Sequence, residues 1–148
     1  MSLNMNKNYI NDRLEELRAL CNTPTKRRKS SHEEDKLQMA CRVWFDMQYK
    51  EFSLLLHHSP NEGLLVKRAL DGAKRKAMGV RAGFPDFIFL KPNRFYPYLA
   101  IELKTQKGKQ SEHQKAYQKA IEANGGTYVI VRSLEEFMSE IDEYLNNI

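Results

Sequence analysis

Apolar residues recur at helical spacing near the start of the chain. Ile10, Leu14, Leu17 and Cys21 fall on one face and predict a short amphipathic helix over residues 8–21. The run TPTKRRKSS that follows has no apolar period and reads as a polar, strongly basic linker. A longer helix is expected over about 32–50, with Leu37, Cys41, Trp44 and Phe45 as its apolar face. Ser31 and Glu34 stand at the spacing of a capping box at its start. The run SLLLHH at 53–58 predicts a first strand ending at His57 and His58, before the turn Ser59-Pro60-Asn61. Residues 62–81 are rich in helix formers, and two short strands follow: Phe87–Leu90 after Asp86, then Leu99–Ile101 leading into Glu102. Ser111 opens a helix that runs to about Ala123 and stops at Asn124-Gly125-Gly126. A strand over 127–132 and a last helix over 134–147 complete the pattern, the helix capped by Ser133 with Glu136 and apolar at Leu134, Phe137, Ile141 and Leu145. The order from residue 32 is helix, strand, possible helix, two strands, helix, strand, helix. It predicts an α/β fold with a mixed central sheet flanked by helices.

Composition narrows the partners. At 148 residues the chain has room for one sizeable core, read as an N-terminal helix and basic linker over 1–31 followed by the main domain over 32–148. A net charge of +5 and a pI near 9.2 favour an anionic partner. The charge is also segregated. Lys67, Arg68, Lys74, Arg75, Lys76 and Arg81 crowd the middle of the chain, whereas 134–147 holds five acids and no base. Such clustering suits a nucleic-acid backbone, where each cation releases condensed counterions from phosphate; a solvated helix face is the plainer reading. Cys21 and Cys41 make neither a metal-ligand set nor a disulfide scaffold. His57 and His58, as adjacent strand residues, point to opposite sides and cannot easily share one ion. No apolar run approaches a membrane span and the first residues lack a signal-peptide pattern, so a cytosolic protein, bacterial or made in a phage-infected host, is expected.

The chemistry concentrates in GFPDF at 83–87 and AIELK at 100–104, which supply Asp86, Glu102 and Lys104. Strand side chains alternate, so Glu102 and Lys104 share one face while Ile101 and Leu103 take the other. If the two strands are neighbours, two carboxylates converge, able to hold a hard divalent cation with an ammonium beside it. Pro85 fits the first residue of a strand or a bulge that aims Asp86.

The pattern x-P-D … (D/E)-x-K resembles the PD-(D/E)xK nuclease superfamily. With GVRAGFPDF, AIELKTQKGKQSEHQ, the Asn-Gly-Gly turn and TYVIVRS, residues of roughly 33–145 look like the VRR-NUC family of virus-type replication-repair nucleases, in particular its small phage members. The resemblance implies an αβββαβ core and metal-dependent hydrolysis of phosphodiesters. It implies Mg²⁺ or Mn²⁺ held by Asp86, Glu102 and the backbone carbonyl of Leu103, with a helix-borne glutamate completing the site. Glu34 fits that role through Glu34-Asp35-Lys36-Leu37-Gln38, with Glu33 as the alternative one register away; a simple helix cap is the plainer account of Glu34. Lys104 would position water or stabilise transition-state charge. Gln114 belongs to the family's S-x-x-Q motif and would point back to the acids, although a capping box with Ser111 also explains it. Lys74, Arg75, Lys76, Arg81, Lys107 and Lys109 are the expected nucleic-acid contacts. Similarity to small Holliday junction resolvases suggests branched DNA as substrate and a homodimer for paired cuts. A non-catalytic DNA-binding module, or a nuclease of linear DNA or RNA, is the alternative.

Overall fold

The computed structural model of the protein describes residues 2–23, 31–59 and 69–148. Helices α1 (Ser2–Asn22) and α2 (Ser31–Gln48) lie against each other at the start of the chain. A 3-10 turn over Lys50–Leu55 leads into strand β1 (Leu56–His58). Helix α3 (Ala69–Ala77), strands β2 (Phe87–Phe89) and β3 (Leu99–Leu103), helix α4 (Glu112–Ala123), strand β4 (Thr127–Val131) and helix α5 (Leu134–Leu145) complete the order. The sheet runs β1-β2-β3-β4, with the first two pairings antiparallel and β3-β4 parallel. This is the mixed sheet flanked by helices that the hydrophobic pattern predicts.

The two faces of the sheet are packed differently. On one, Phe87, Phe89, Leu99, Ile101, Leu103 and Val131 meet Leu37, Trp44 and Phe45 of α2 and Phe137 and Ile141 of α5. Aromatic rings interlock there: Phe45 stands edge-on to Phe89 at 5.2 Å and Trp44 edge-on to Phe137 at 5.9 Å. Leu17 of α1 is buried in the same cluster, and Arg18 pairs with Glu135 of α5 at 2.9 Å. On the other face, α4 covers a smaller cluster of Ala100, Ile121 and Tyr128. The β3 residues that alternate onto that face are Ala100 and Glu102.

One expected element changes character. The apolar run at 53–58 is a strand only over its last residues, and Lys50–Leu55 winds as a 3-10 turn. The cause is a polar cluster. The Arg42 guanidinium donates to the carbonyl of Ser53 at 2.8 Å, to the carbonyl of Leu56 and to both oxygens of Asp46. Ser53 Oγ also donates to Asp46 at 2.6 Å. These bonds hold the backbone in a turn that a ladder strand could not adopt, and Leu54, despite its apolar side chain, is 95% exposed. The stretch 60–68, with the turn expected at Pro60-Asn61 and with Lys67 and Arg68, lies outside the described residues, as does the capping serine side chain of Ser31.

The later helix signals correspond closely to what forms. Ser111 Oγ accepts from Gln114 N–H, the Gln114 side chain accepts from Ser111 N–H, and Gly125 takes the left-handed conformation (φ +86°) that ends α4. Ser133 caps α5 by accepting from Glu136 N–H at 3.1 Å. The Glu136 carboxylate reaches one residue further back than a capping box requires, to the N–H of Arg132 at 2.6 Å.

Candidate active site

Antiparallel pairing of β2 and β3 matches Phe87 with Ile101; continued by one step, the same register sets Asp86 opposite Glu102. Asp86 Oδ2 accepts the N–H of Leu103 at 2.7 Å, which pins the carboxylate to the end of β3. Leu103 thus contributes its backbone at the site while its side chain sits in the opposite core. The loop before Asp86 is aimed by Gly83. Its φ is +84°, and a Cβ there would lie 2.6 Å from the backbone of His113, so the chain can run against the start of α4 only as glycine.

Glu102 is 1% exposed, and three residues converge on it. Lys104 Nζ pairs with its Oε1 at 2.9 Å, Gln114 Nε2 donates to the same oxygen, and Tyr128 O–H donates to Oε2 at 3.3 Å. Gln114 therefore makes both the cap and the contact to the acid. Its carbonyl oxygen closes the capping box while its amide nitrogen reaches the acid.

The electrostatics follow from burial. Desolvation is the largest influence on Glu102 and the neighbouring Asp86 charge the next; together they outweigh Lys104 and push its carboxyl up to about 7. Asp86 is also raised, first by burial and further by Glu34, against the opposing pull of the Leu103 N–H, Lys104 and His58. Lys104 is raised because its bond and attraction to Glu102, joined by Glu34 and Asp86, overcome its own desolvation. Three carboxyl groups, Glu102, Glu34 and Asp86, thus act on the buried Lys104.

Glu34 is the α2 acid that turns toward this site. It is half-buried, its carboxylate accepts from Thr105 N–H at 3.4 Å, and Glu33 one register away is exposed. Among the described residues, no three His, Cys, Asp or Glu side chains form a closed ion cage. The acids here are a pair, Asp86 and Glu102, with Glu34 close enough to raise Asp86 and Lys104. A cleft of about 270 Å³ between the end of α1 and the 104–106 segment reaches Glu34 and Lys104.

A family model for the VRR-NUC domain matches residues 22–135. The chain belongs to the VRR-NUC family. A solved structure described as a VRR_NUC domain protein has a TM-score of 0.67 to this fold at 27% identity, over 77% of this chain and 88% of that one. No curated protein matches the chain. VRR-NUC membership makes this a nuclease-type domain, and its fold has the restriction-endonuclease-like core.

Within this VRR-NUC domain, the contacts of several side chains at the site come from packing alone. Tyr128 lies on β4 among apolar neighbours; its burial raises its phenol, and its hydroxyl reaches Glu102. Arg132 directly follows β4 and is half-buried. Its guanidinium donates to the carbonyls of Thr105 at 2.6 Å and Gly108 at 2.8 Å, clamping the loop that carries Lys107 and Lys109. His58 Nδ1 lies 2.9 Å from the Asp86 carbonyl, which also accepts Ser59 N–H, while His57 is exposed. Only neighbours distant in sequence create these contacts, and no local signal announces them.

The basic residues occupy two segments. Lys74 and Lys76 are exposed in the last turn of α3, Arg75 is half-buried, and Arg81 is exposed with its guanidinium on the Lys76 carbonyl at 3.1 Å. Lys107 and Lys109 are exposed on the loop after Lys104. One segment enters the site through Gly83 and the other leaves it through Thr105. The described residues contain no helix long and apolar enough to cross a membrane.

Proposed function

We propose that this VRR-NUC domain is a metal-dependent endonuclease that hydrolyses DNA phosphodiesters, with branched DNA as its substrate. The observation that carries the reading is the Glu102 centre: a buried carboxylate opposite Asp86, held by Lys104, Gln114 and Tyr128. A module that only bound DNA would gain nothing from keeping two acids together out of water, since burial without compensation destabilises the fold.

The residues fit a hard cation. Asp86 and Glu102 present carboxylate oxygens, the Leu103 backbone runs beside them, Glu34 stands nearby, and burial first, then the neighbouring acids, raises both carboxyl pKa values. These groups would hold Mg²⁺ or Mn²⁺, which when bound polarises a phosphoryl oxygen and generates a nucleophile near neutral pH. The protein's own share is positioning and charge. Asp86, pinned by the Leu103 N–H, offers a fixed carboxylate. Lys104 brings an ammonium to the reacting phosphate, where it stabilises charge developing in the transition state. Gln114, fixed by its capping box, holds Glu102 in a single orientation and so orients the site for water and substrate. The cations of α3 and of the 105–109 loop bind the backbone. Two cuts in a branched molecule need two active sites, so the working form is a homodimer.

The test is cleavage of labelled junctions, flaps, single strands and linear duplexes in Mg²⁺, Mn²⁺ or EDTA, with Glu102→Ala alongside. Metal-dependent cutting that disappears in the variant supports the reading and ranks the substrates. DNA binding without cutting in any metal would make this a non-catalytic module.

A further inference from the structure

An aromatic pair stands at the rim of the site. Phe84, two residues before Asp86, meets Tyr117 of α4 edge-on, with ring centroids 5.3 Å apart and planes at 83°. Both side chains are half-exposed, and neither belongs to the two apolar clusters that hold the sheet. Tyr117 lies one helical turn beyond Gln114, on the flank of α4 that faces the Gly83–Asp86 segment. The segment is already seated on α4 by the approach of Gly83 to His113 and Gln114, and a half-exposed pair recovers only part of the stabilisation its area would bring if buried.

Phosphates are attracted by cations; aromatic faces attract bases. In an uninterrupted duplex each base is covered above and below by its neighbours, so only an unpaired or splayed nucleotide can offer a face to a tyrosine. Exposed cations flank the pair in sequence, Arg81 before Phe84 and Lys107 and Lys109 before α4, as a backbone-tracking groove around a stacking platform requires.

We propose that Tyr117, buttressed by Phe84, is the stacking platform for an unpaired base beside the scissile phosphate. It sets the specificity of the site for DNA with an unpaired nucleotide at the point of cleavage, such as a flap, a frayed branch or a single-stranded end, over continuous duplex. This inference rests on the nuclease reading, and its test has one arm that does not.

In the first arm, kcat/KM is compared on a flap and on a linear duplex of the same sequence for wild type, Tyr117→Phe and Tyr117→Leu. Loss of one stacked base lowers flap cleavage by about ten- to a hundredfold in Tyr117→Leu, with linear duplex little changed and Tyr117→Phe close to wild type. An equal loss on both substrates would make Tyr117 a packing residue and overturn the proposal, as would no loss on either. In the second arm, 2-aminopurine is placed in turn at each nucleotide around the flap junction, in EDTA, at protein concentrations that saturate anisotropy. Wild type and Tyr117→Phe quench one unpaired position, and Tyr117→Leu, checked for an unchanged thermal transition, does not. Absence of quenching by wild type at every position would overturn stacking whether or not the protein cuts DNA. Quenching without cleavage would support the platform while refuting the nuclease.

Discussion

The two faces of one four-stranded sheet solve opposite problems. Toward α2 and α5, strand residues alternate inward as Phe87, Phe89, Ile101 and Leu103 and meet aromatic rings from both helices. Toward α4, the residues in between include Glu102, followed by Lys104 and joined by Gln114 and Tyr128. The first face stabilises the fold through burial that needs no partner chemistry. The second buries a carboxylate whose pKa rises to about 7, a standing cost to the folded state. Stability and chemistry are thus separated by the strand period of two, across the thickness of a single sheet. The α2–α5 face is the scaffold that lets the α4 face carry unfavourable groups in fixed positions.

Substitution should break that comparison cleanly. The largest effect is on the α4 face: Glu102→Ala, Asp86→Ala or Lys104→Ala lowers single-turnover cleavage by about a thousandfold or more, the scale of a lost preorganised group, while DNA affinity in gel shift changes little. Cleavage that survives all three changes would remove the assignment. On the opposite face, Phe89→Ala loses about 3–5 kcal/mol of unfolding free energy, the usual cost of an aromatic cavity. Its remaining folded fraction keeps the wild-type rate per active site; a rate loss beyond the folded fraction, measured by active-site titration, would show that the faces are not independent.

A pH series sharpens the same contrast. A carboxyl whose pKa is higher folded than unfolded binds its proton more tightly in the native state, so its effect on stability is most favourable below about 4.5. That advantage is lost as pH rises through about 7 and is then level. In EDTA, urea unfolding of the wild type should lose about 3 kcal/mol between pH 4.5 and 8 from this group, an order-of-magnitude figure. Glu102→Gln should remove this part of the slope and be the more stable protein at pH 8. Parallel profiles for the two proteins would mean that the carboxyl titrates normally. Affinity for Mn²⁺ should rise over the same window, because the ligands must first lose their protons.

Smaller still is the effect of Arg132→Ala, which removes the donors on the Thr105 and Gly108 carbonyls. A loss of about 1–2 kcal/mol is expected for unclamping the loop, with faster hydrogen exchange confined to residues 105–109. Unchanged exchange there would show that the loop holds its shape without the arginine.

Much of this molecule was legible from its residues one by one. Helical spacing located α2, α4 and α5, Ser111 and Ser133 marked two helix starts, and alternation around Glu102 separated the polar face of β3 from the apolar one. The order of Asp86, Glu102 and Lys104 pointed to the family because it matches the family's motif, and the fold sets those groups at the ends of adjacent strands. Other features had no local signature. SLLLHH carries the composition of a strand, yet Arg42 and Asp46, on a different helix, bend its first half into a 3-10 turn. The sequence preferred Glu34 and kept Glu33 as the alternative one register away, and the docking of α2 turns Glu34 toward Thr105. Gln114 offered a cap or a site contact, and only the closeness of α4 to β3 allowed one amide to be both. Local spacing along a chain sets periodicity, caps and the face on which a side chain stands. Which distant groups share a carbonyl, a carboxylate or a ring is decided by packing, because those contacts exist only once the helices have settled on the sheet.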